Sequence, residues 1–306
     1  MTSNVSSFRS LVEDRSLSQA ERLAFIDYKI MYLGEVSRQD IIEEFSIGQA
    51  AASNDMRLYR ELRPANSRLD HATKRTIITP ETYVPLVNID AHTALDFIKN
   101  GFCRSRLEPG VPSLPVETID PRLAPGALND EQVAAVTRAM KGQYGVECEY
   151  ESHNSANTDK RVLFPIALFV DRQSWYVRAF DQGAARFKNF KLSRIKSTPC
   201  ALGSDLQFPK VGGYLEKDTQ WHTLVPLELV VADPENVQQL TREFGLEHGR
   251  KIVVCRAALI YFARVNWRID VENGDKNIFY FKLSNLIALK QMGLGDELMK
   301  SIKFGS

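Results

Sequence analysis

Two groups of side chains in this sequence have the types and spacing to bind polyanions. The first is Gln49, Ser53, Asn54, Arg57 and Arg60. At 3.6 residues per turn they fall mostly on one side of a helix, and residues of these types hydrogen-bond base edges and phosphates in a major groove. The second lies between Lys160 and Lys196, where nine Lys or Arg face two Asp, a local net charge of +7 in a chain whose total is +1. The rest of the chain therefore sums to −6, a marked asymmetry of sign. Such groups recognise anions; they do not break bonds. The sequence has no phosphate-cradling Gly-rich loop, no nucleophile with a placed base and no paired-carboxylate metal site near the basic stretch. His222 and His248 have no partner at ligand or triad spacing. The expectation is a protein that is not an enzyme, with no cofactor and no metal.

The first group needs a helix, and the residues before it supply a context. Ser18 with Glu21 reads as a capping box, apolar residues from Leu23 to Leu33 keep helical spacing, and Gly34 is a natural stop. Ser37 opens a second helix, Arg38–Phe45, with Ile41, Ile42 and Phe45 inward. Ser46-Ile47-Gly48 is then a tight turn. Ser46 is expected to cap a third helix, with Gln49 at the capping-box position and Pro64 at its end. On that helix Ile47, Ala51, Leu58 and Leu62 are expected to pack on the first two, and Ala50 and Ala52 to let it lie close to DNA. Asp55 and Glu61 on the helix, and Glu43 and Glu44 before it, temper the charge, so nonspecific affinity should be modest and salt-sensitive.

Two short strands follow, with a tip at Asp70–Arg75 that presents Lys74 and Arg75 to phosphate or a minor groove. Two helices joined by a short turn and followed by a wing have the geometry of a winged helix-turn-helix. The predicted DNA contacts are Ser46, Gln49, Ser53, Asn54, Arg57, Arg60, Lys74 and Arg75. A small helical bundle with a solvated polar face is the plainer alternative; the short turn, the polar–basic third helix and the wing together favour DNA.

Asn88–Asn100 and Asp130–Lys141 have helical spacing, and the Pro- and Gly-rich residues 101–127 between them suit neither a regular helix nor a central strand. Phe102, Leu107, Leu114 and Leu123 argue that this connector packs against something. The second group needs strands. Tyr144–Ser152, Arg161–Asp171, Ser174–Asp181 and Arg186–Ile195 alternate, with Pro165 at a bulge or edge and Asp181-Gln182-Gly183 as a turn, which suggests a small open barrel. Further on, Trp221–Ala232 and Arg250–Arg256 read as strands, Pro234–Phe244 and Ala257–Arg264 as helices, and Asn277–Ser301 as largely helical or apolar.

At 306 residues and 44% hydrophobic, the chain is long enough for two or three domains. No run approaches the roughly 18 apolar residues of a membrane span, and the polar N-terminus lacks a signal-peptide core. Cys103, Cys148, Cys200 and Cys255 are far apart and form no CxxC pair, so they read as reduced, mostly buried thiols. A cytoplasmic protein with no membrane contact is expected.

Ser174–Asp181, with Arg186-Phe187 and Phe190–Ile195, resembles the signature of WYL domains, Sm-like β modules named for a Trp-Tyr-Leu triplet. Here the third residue is Val177, a departure. Tyr150-Glu151-Ser152 and Phe164-Pro165 fit the same pattern. With a winged helix in front, the chain resembles WYL-domain transcriptional regulators over most of its length, nearest the BrxR/CapW-type repressors of bacterial phage-defence islands.

That resemblance implies an α+β multidomain chain. Residues 1–87 would be the winged helix-turn-helix, 88–141 a helical, Pro-rich connector, 142–200 a ligand-sensing Sm-like small β-barrel, and 201–306 a small α/β dimerisation domain. It implies a homodimeric repressor on a palindromic double-stranded DNA operator, released by an anionic effector, a nucleotide or oligonucleotide. The ligand residues carried over from the motif are Tyr150, Ser152, Arg178, Arg186 and Arg194, with Trp175 and Phe190 nearby. Arg offers phosphate a planar fork, and an aromatic ring can stack on a base. Trp175, Tyr176 and Phe180 are more often packing than ligand contacts. In a second reading, the basic β module binds RNA or single strands and the N-terminal helices are a protein-interaction unit.

Overall fold

The computed structural model describes residues 7–108, 128–152, 158–172, 174–201, 214–272 and 278–300. The chain forms two compact units, Met1–Lys210 and Val211–Ser306.

The first unit opens with α1 (Phe8–Asp14), which the sequence reading missed, and α2 (Leu17–Leu33). Ser16 caps α2, its hydroxyl accepting from the Gln19 amide. The cap expected at Ser18 is corrected: Ser18 already lies inside the first turn, whereas Ser16 has the extended backbone a cap requires. Gly34 ends α2 at φ 80°, a conformation open to glycine. α3 (Arg38–Phe45) starts at a complete capping box between Ser37 and Asp40. Ser46 then turns left-handed, φ 52°, as the C-cap of α3. It therefore does not cap α4 (Gln49–Leu62); Gly48 holds that position in extended backbone, with no side-chain bond. The strands β1 (Glu35–Val36), β2 (Ser67–Asp70) and β3 (Arg75–Ile78) make an antiparallel sheet in the order β1-β3-β2, and β2 and β3 are the expected wing.

Three helices follow: α5 (Ala91–Asn100), α6 (Arg104–Leu107) and α7 (Asp130–Gly142). Thr137 Oγ1 and Arg138 Nη1 of α7 donate to the carbonyls of Tyr32 (2.5 Å) and Met31 (2.7 Å), satisfying acceptors left open at the end of α2. Phe102 packs among Phe25, Tyr28, Phe45 and Phe97, and Leu107 also lies on the core. Leu114 and Leu123 lie outside the described residues. One continuous apolar core runs from Phe8 to Ile195.

The larger sheet comprises β4 (Val146–Glu151), β5 (Thr158–Asp171), β6 (Ser174–Asp181), β7 (Arg186–Lys191) and β8 (Cys200–Ala201), antiparallel in the order β7-β6-β5-β4-β8. Its register slips between Pro165 and Ala167, so of the bulge or edge expected at that proline it is the bulge that forms. The strand expected to run to Ile195 ends at Lys191. A 3-10 turn, Leu192–Arg194, then carries the chain back to β4, where Ile195 bridges Tyr150 and β8 pairs with Val146 and Glu147. Residues 186–201 thus serve both edges of one curved sheet.

The second unit contains α8 (Tyr214–Lys217), α9 (Thr219–His222), β9 (Leu224–Val231), α10 (Val237–Phe244), β10 (Arg250–Arg256), α11 (Ile260–Asn266), β11 (Ile269–Asp270), β12 (Phe281–Leu283), α12 (Leu286–Leu289) and α13 (Gly295–Met299). Its sheet order is β10-β9-β12-β11. Trp221 and His222 belong to α9, capped by Asp218, and not to the strand expected there. Val225, Leu227, Leu229, Phe281 and Leu283 pack with Leu240, Ile260, Leu289 and Leu298 on one face of the sheet.

The expectation of mostly buried thiols fails: Cys148 is buried, Cys255 half-buried, and Cys103 and Cys200 are exposed. Burial pushes the Cys148 thiol up to about 12 and that of Cys255 to about 11. Among the described residues no helix is long and apolar enough to cross a membrane.

Candidate nucleic-acid interface

The inward face of α4 is Ala52, Asp55, Met56 and Tyr59, with Leu58 and Leu62 half-buried beside it. The sequence reading placed Ala51 inward and Ala52 outward, and the structure reverses the two. Two polar residues explain the error. Tyr59 donates to Asp27 Oδ1 (2.7 Å), and Asp55, counted above among the charges that temper the helix, is 1% exposed and accepts from Arg22 Nε (2.6 Å) and Gln19 Nε2 (3.2 Å). Each makes a buried face look like a surface one.

With that face fixed, Gln49, Asn54, Arg57 and Arg60 stand exposed, with Ser53 half-buried among them. Arg57 lies along the helix, donating to Glu61 Oε1 (2.5 Å) and Asn54 Oδ1 (2.8 Å). Both partners are surface groups that a phosphate or guanine can displace. Ser46 is exposed in the turn before α4.

A groove of about 310 Å³ joins the N-terminus of α3, the first turn of α4 and the wing turn; Arg38, Gln39, Gln49, Thr73, Lys74 and Arg75 are among its walls. It gathers three predicted residues and adds Arg38, Gln39 and Thr73, which the sequence reading missed because α3 was read as scaffold alone. Arg38 Nη1 donates to Ser53 Oγ (3.2 Å), so it already leans over the open face of α4. Lys74 is exposed at φ 56°. Arg75 differs: it donates to Glu35 Oε1 (3.0 Å) and lies 3.9 Å from Asp40, so it braces the wing against α3.

Alternation and register decide which predicted ligand residues share a face of the larger sheet. Phe190 pairs with Val177, two residues from Trp175 on β6, so Trp175 and Phe190 face the same way. Tyr150 packs edge-on to Phe190 (5.1 Å between centroids), and its hydroxyl accepts from the Lys191 amide (3.0 Å). All three aromatics are buried in the core. Arg178 lies on the opposite face, itself buried, donating to Asn189 Oδ1 (3.2 Å) with its guanidinium 5.9 Å from the Phe187 ring. Arg186 is exposed at the start of β7, Arg194 half-buried in the 3-10 turn, and Ser152 half-buried beyond β4. The predicted residues are therefore split between two faces and two loops.

On the face that carries Arg178, Phe169 stacks on Tyr176 (5.0 Å, 8°) and Phe180 meets Phe187 edge-on (5.2 Å). Part of the basic charge is internal. Lys188 (2.9 Å) and Arg161 (3.1 Å) converge on the fully buried Asp181. Burial pushes that carboxyl up, but Lys188, the Ala184 amide and Arg161 outweigh it and hold it below its ordinary value.

The wing, the exposed face of α4 and the curved sheet define a winged-helix DNA-binding protein with an appended β module. The comparisons sharpen this. Residues 18–100 match the model of the BrxR transcriptional regulator winged helix-turn-helix domain, and residues 131–199 match the WYL domain. The DNA-binding transcriptional repressor CapW of Pseudomonas aeruginosa is 26% identical over 287 residues, covering 90% of this chain and 91% of the relative. CapW of Stenotrophomonas maltophilia is 25% identical over 253 residues, covering 80% and 81%. Among solved structures, the proteasome accessory factor PafBC of Arthrobacter aurescens aligns with 92% of this chain and 49% of its own, at 15% identity and a TM-score of 0.23. The chain thus combines a winged helix-turn-helix domain of the BrxR regulator type with a WYL domain, and is similar over most of its length to the CapW repressors.

Proposed function

We propose that this protein is a cytoplasmic, ligand-responsive repressor that binds a palindromic operator as a homodimer, controls a phage-defence operon, and is released by a nucleic-acid or nucleotide-like ligand at its WYL domain. One observation carries the DNA reading: the open face of α4 runs without a break into the groove that holds Arg38 and Lys74. Base-reading and phosphate-binding groups thus lie side by side. One such helix covers only a short half-site, which is why a dimer belongs to the reading.

The aromatic face around Arg178 supports the effector reading, since stacked rings beside a guanidinium suit bases and phosphates. It also favours the second reading, direct binding of RNA or single strands by the β module. Release requires the effector to prefer the arrangement that cannot bind DNA. The helix placed to carry that preference is α7, which packs on both α2 and β5.

The test is fluorescence anisotropy on duplex DNA from upstream of the protein's own gene, against scrambled duplex and single strand, at two salt concentrations. The repressor reading expects tight, sequence-dependent duplex binding that Arg57→Ala weakens by about 1–3 kcal/mol and makes less selective. Preference for single strands, untouched by Arg57→Ala, moves the function to the β module.

A further inference from the structure

A groove of about 480 Å³ opens in the first unit where the end of α2, the last turns of α5 and α7, and the bulged part of β5 meet. Its volume falls within the roughly 300–1,000 Å³ of small-molecule sites. The walls are apolar, with Leu33, Ile98, Met140, Leu168 and Trp175 among them. The bulge shapes it: Ile166, the residue the register skips, is part of the lining. The one hydroxyl there, Thr137, already donates to the Tyr32 carbonyl, and the only other uncharged polar atom in the lining side chains is the indole N–H of Trp175. The lining side chains offer donors but no carboxylate or amide acceptor, so they lack the mixed hydrogen-bond pattern that a sugar, a base or a peptide requires.

The charge at this groove is of one sign. Lys99 and Lys141 line it, both exposed, and among the described residues neither has an ion-pair partner. Asp96, the acid on α5, is taken by Arg106 at 3.3 Å. The acids of α7, Asp130 and Glu131, lie in its first turn, three turns from Lys141.

We propose that this groove binds a monomeric single-chain amphiphile, its alkyl chain against Trp175, Leu168 and Met140 and its anionic head between Lys99 and Lys141. The occupant is a free molecule and not a bilayer, because a groove of this volume takes one small ligand and presents no extended apolar face. The same helix that presents Thr137 and Met140 to the groove is hydrogen-bonded to the end of α2, so the ligand sits at the joint between the β sheet and the winged helix. Binding does not depend on the repressor reading; any effect on DNA release does.

The experiment uses the full chain with Trp221→Phe and Trp267→Phe, which leaves Trp175 as the only tryptophan. Sodium decanoate, decyl maltoside and anionic phospholipid vesicles are titrated separately, the amphiphiles below their aggregation concentrations. Decanoate should give a saturable change in Trp175 emission. Decyl maltoside, and decanoate on the Lys99→Gln/Lys141→Gln variant, should each bind at least about tenfold more weakly, roughly the worth of a good charge contact. A flat decanoate titration, equal affinity for the neutral amphiphile or unchanged affinity in the lysine variant would overturn the assignment. So would a response to vesicles alone, or Trp175 emission that depends on protein dilution, the sign of a second copy in the groove. DNA binding read in parallel separates the two proposals: an amphiphile that binds while operator affinity stays constant leaves the site standing and removes only its role in release.

Discussion

The Tyr59 hydroxyl donates to the Asp27 carboxylate across 2.7 Å, fastening the last turn of α4 to α2 out of reach of solvent. Asp27 also accepts from Tyr83 Oη (2.8 Å) and from the amides of Leu86 (2.8 Å) and Val87 (3.0 Å). Burial pushes the carboxyl above its ordinary range, and these four donors pull against it. One buried group thus holds the DNA-facing helix and the segment leading to α5. Tyr59→Phe removes one donor and should cost about 1 kcal/mol in urea melts. Asp27→Ala strands all four donors and should cost about 3 kcal/mol or more. Equal losses in the two variants would show that the carboxylate is not the hub.

Arg22 and Asp55 form the second anchor of α4, at 2.6 Å. Arg22→Ala leaves a buried carboxylate facing only Gln19, and a loss of about 3–5 kcal/mol is expected. Replacing both partners by apolar residues, Arg22→Met with Asp55→Leu, should recover most of that, because the pair offsets its own desolvation and little more. A single variant that costs under about 1 kcal/mol would place the pair in solvent.

These anchors mark where the sequence was hard to read. The helix start at Ser37, the stop at Gly34, the wing and the irregularity at Pro165 are local, set by backbone chemistry within a few residues, and were legible. The phase of α4 was not. Its core face contains Asp55 and Tyr59, whose burial depends on Arg22 and Asp27 more than 30 positions away. The outward residues survived the error because Gln49, Ser53, Asn54, Arg57 and Arg60 span a face wider than one position. The motif around Trp175 was legible as a string, but which side of the sheet each residue takes depends on strand register, which no single segment encodes.

If the proposed DNA interface is right, Arg57 and Lys74 should fail in different ways. Arg57→Ala removes a group placed to read bases, and should cost about 1–3 kcal/mol and relax specificity. Lys74→Ala removes the proposed phosphate contact, so operator and scrambled duplex should weaken alike and the slope of log K against log salt should fall by about 1. Arg75→Ala should change that slope less, since Arg75 is already paired with Glu35. Titrations at several salt concentrations give both quantities. A Lys74→Ala slope identical to wild type would take the wing off the DNA.

Asp40 gives the winged helix a defined acid sensitivity. Burial would raise its carboxyl, but bonds from the Ser37 hydroxyl and amide (both 2.7 Å) and the charge of Lys29 (3.2 Å) outweigh it, leaving it below the ordinary 3.8. A depressed carboxyl stabilises the fold above its unfolded pKa, and that contribution is lost as pH falls through the folded value. Asp40→Asn should therefore cost about 1 kcal/mol at pH 7, with the gap to wild type closing below pH 3.8. Melting curves of both proteins across this range provide the check; a gap that stays constant into acid would mean that the charge is not what stabilises.

The homodimer of the proposed function has a candidate contact on the sheet of the second unit. Its helices cover one face; on the other, Leu224, Ile252 and Val254 are 60%, 66% and 59% exposed. Register gathers them into one patch, with Ile252 opposite Glu228, Val254 opposite Pro226, and Leu224 opposite Arg256. Exposed apolar groups in a contiguous cluster, rimmed by charge, mark an interaction surface. β10 is also an edge strand, with one side unpaired among the described residues. Two copies meeting on this face bury the patch isologously, each apolar strip against its own image. Ile252→Glu places a charge in the middle of it without touching the protomer's core. By light scattering after gel filtration the wild type should run as a dimer and Ile252→Glu at the 34.6 kDa of one chain, with an unchanged far-ultraviolet spectrum. A dimer that survives both Ile252→Glu and Val254→Glu is held together elsewhere, and the operator-binding pair must then be built on another surface.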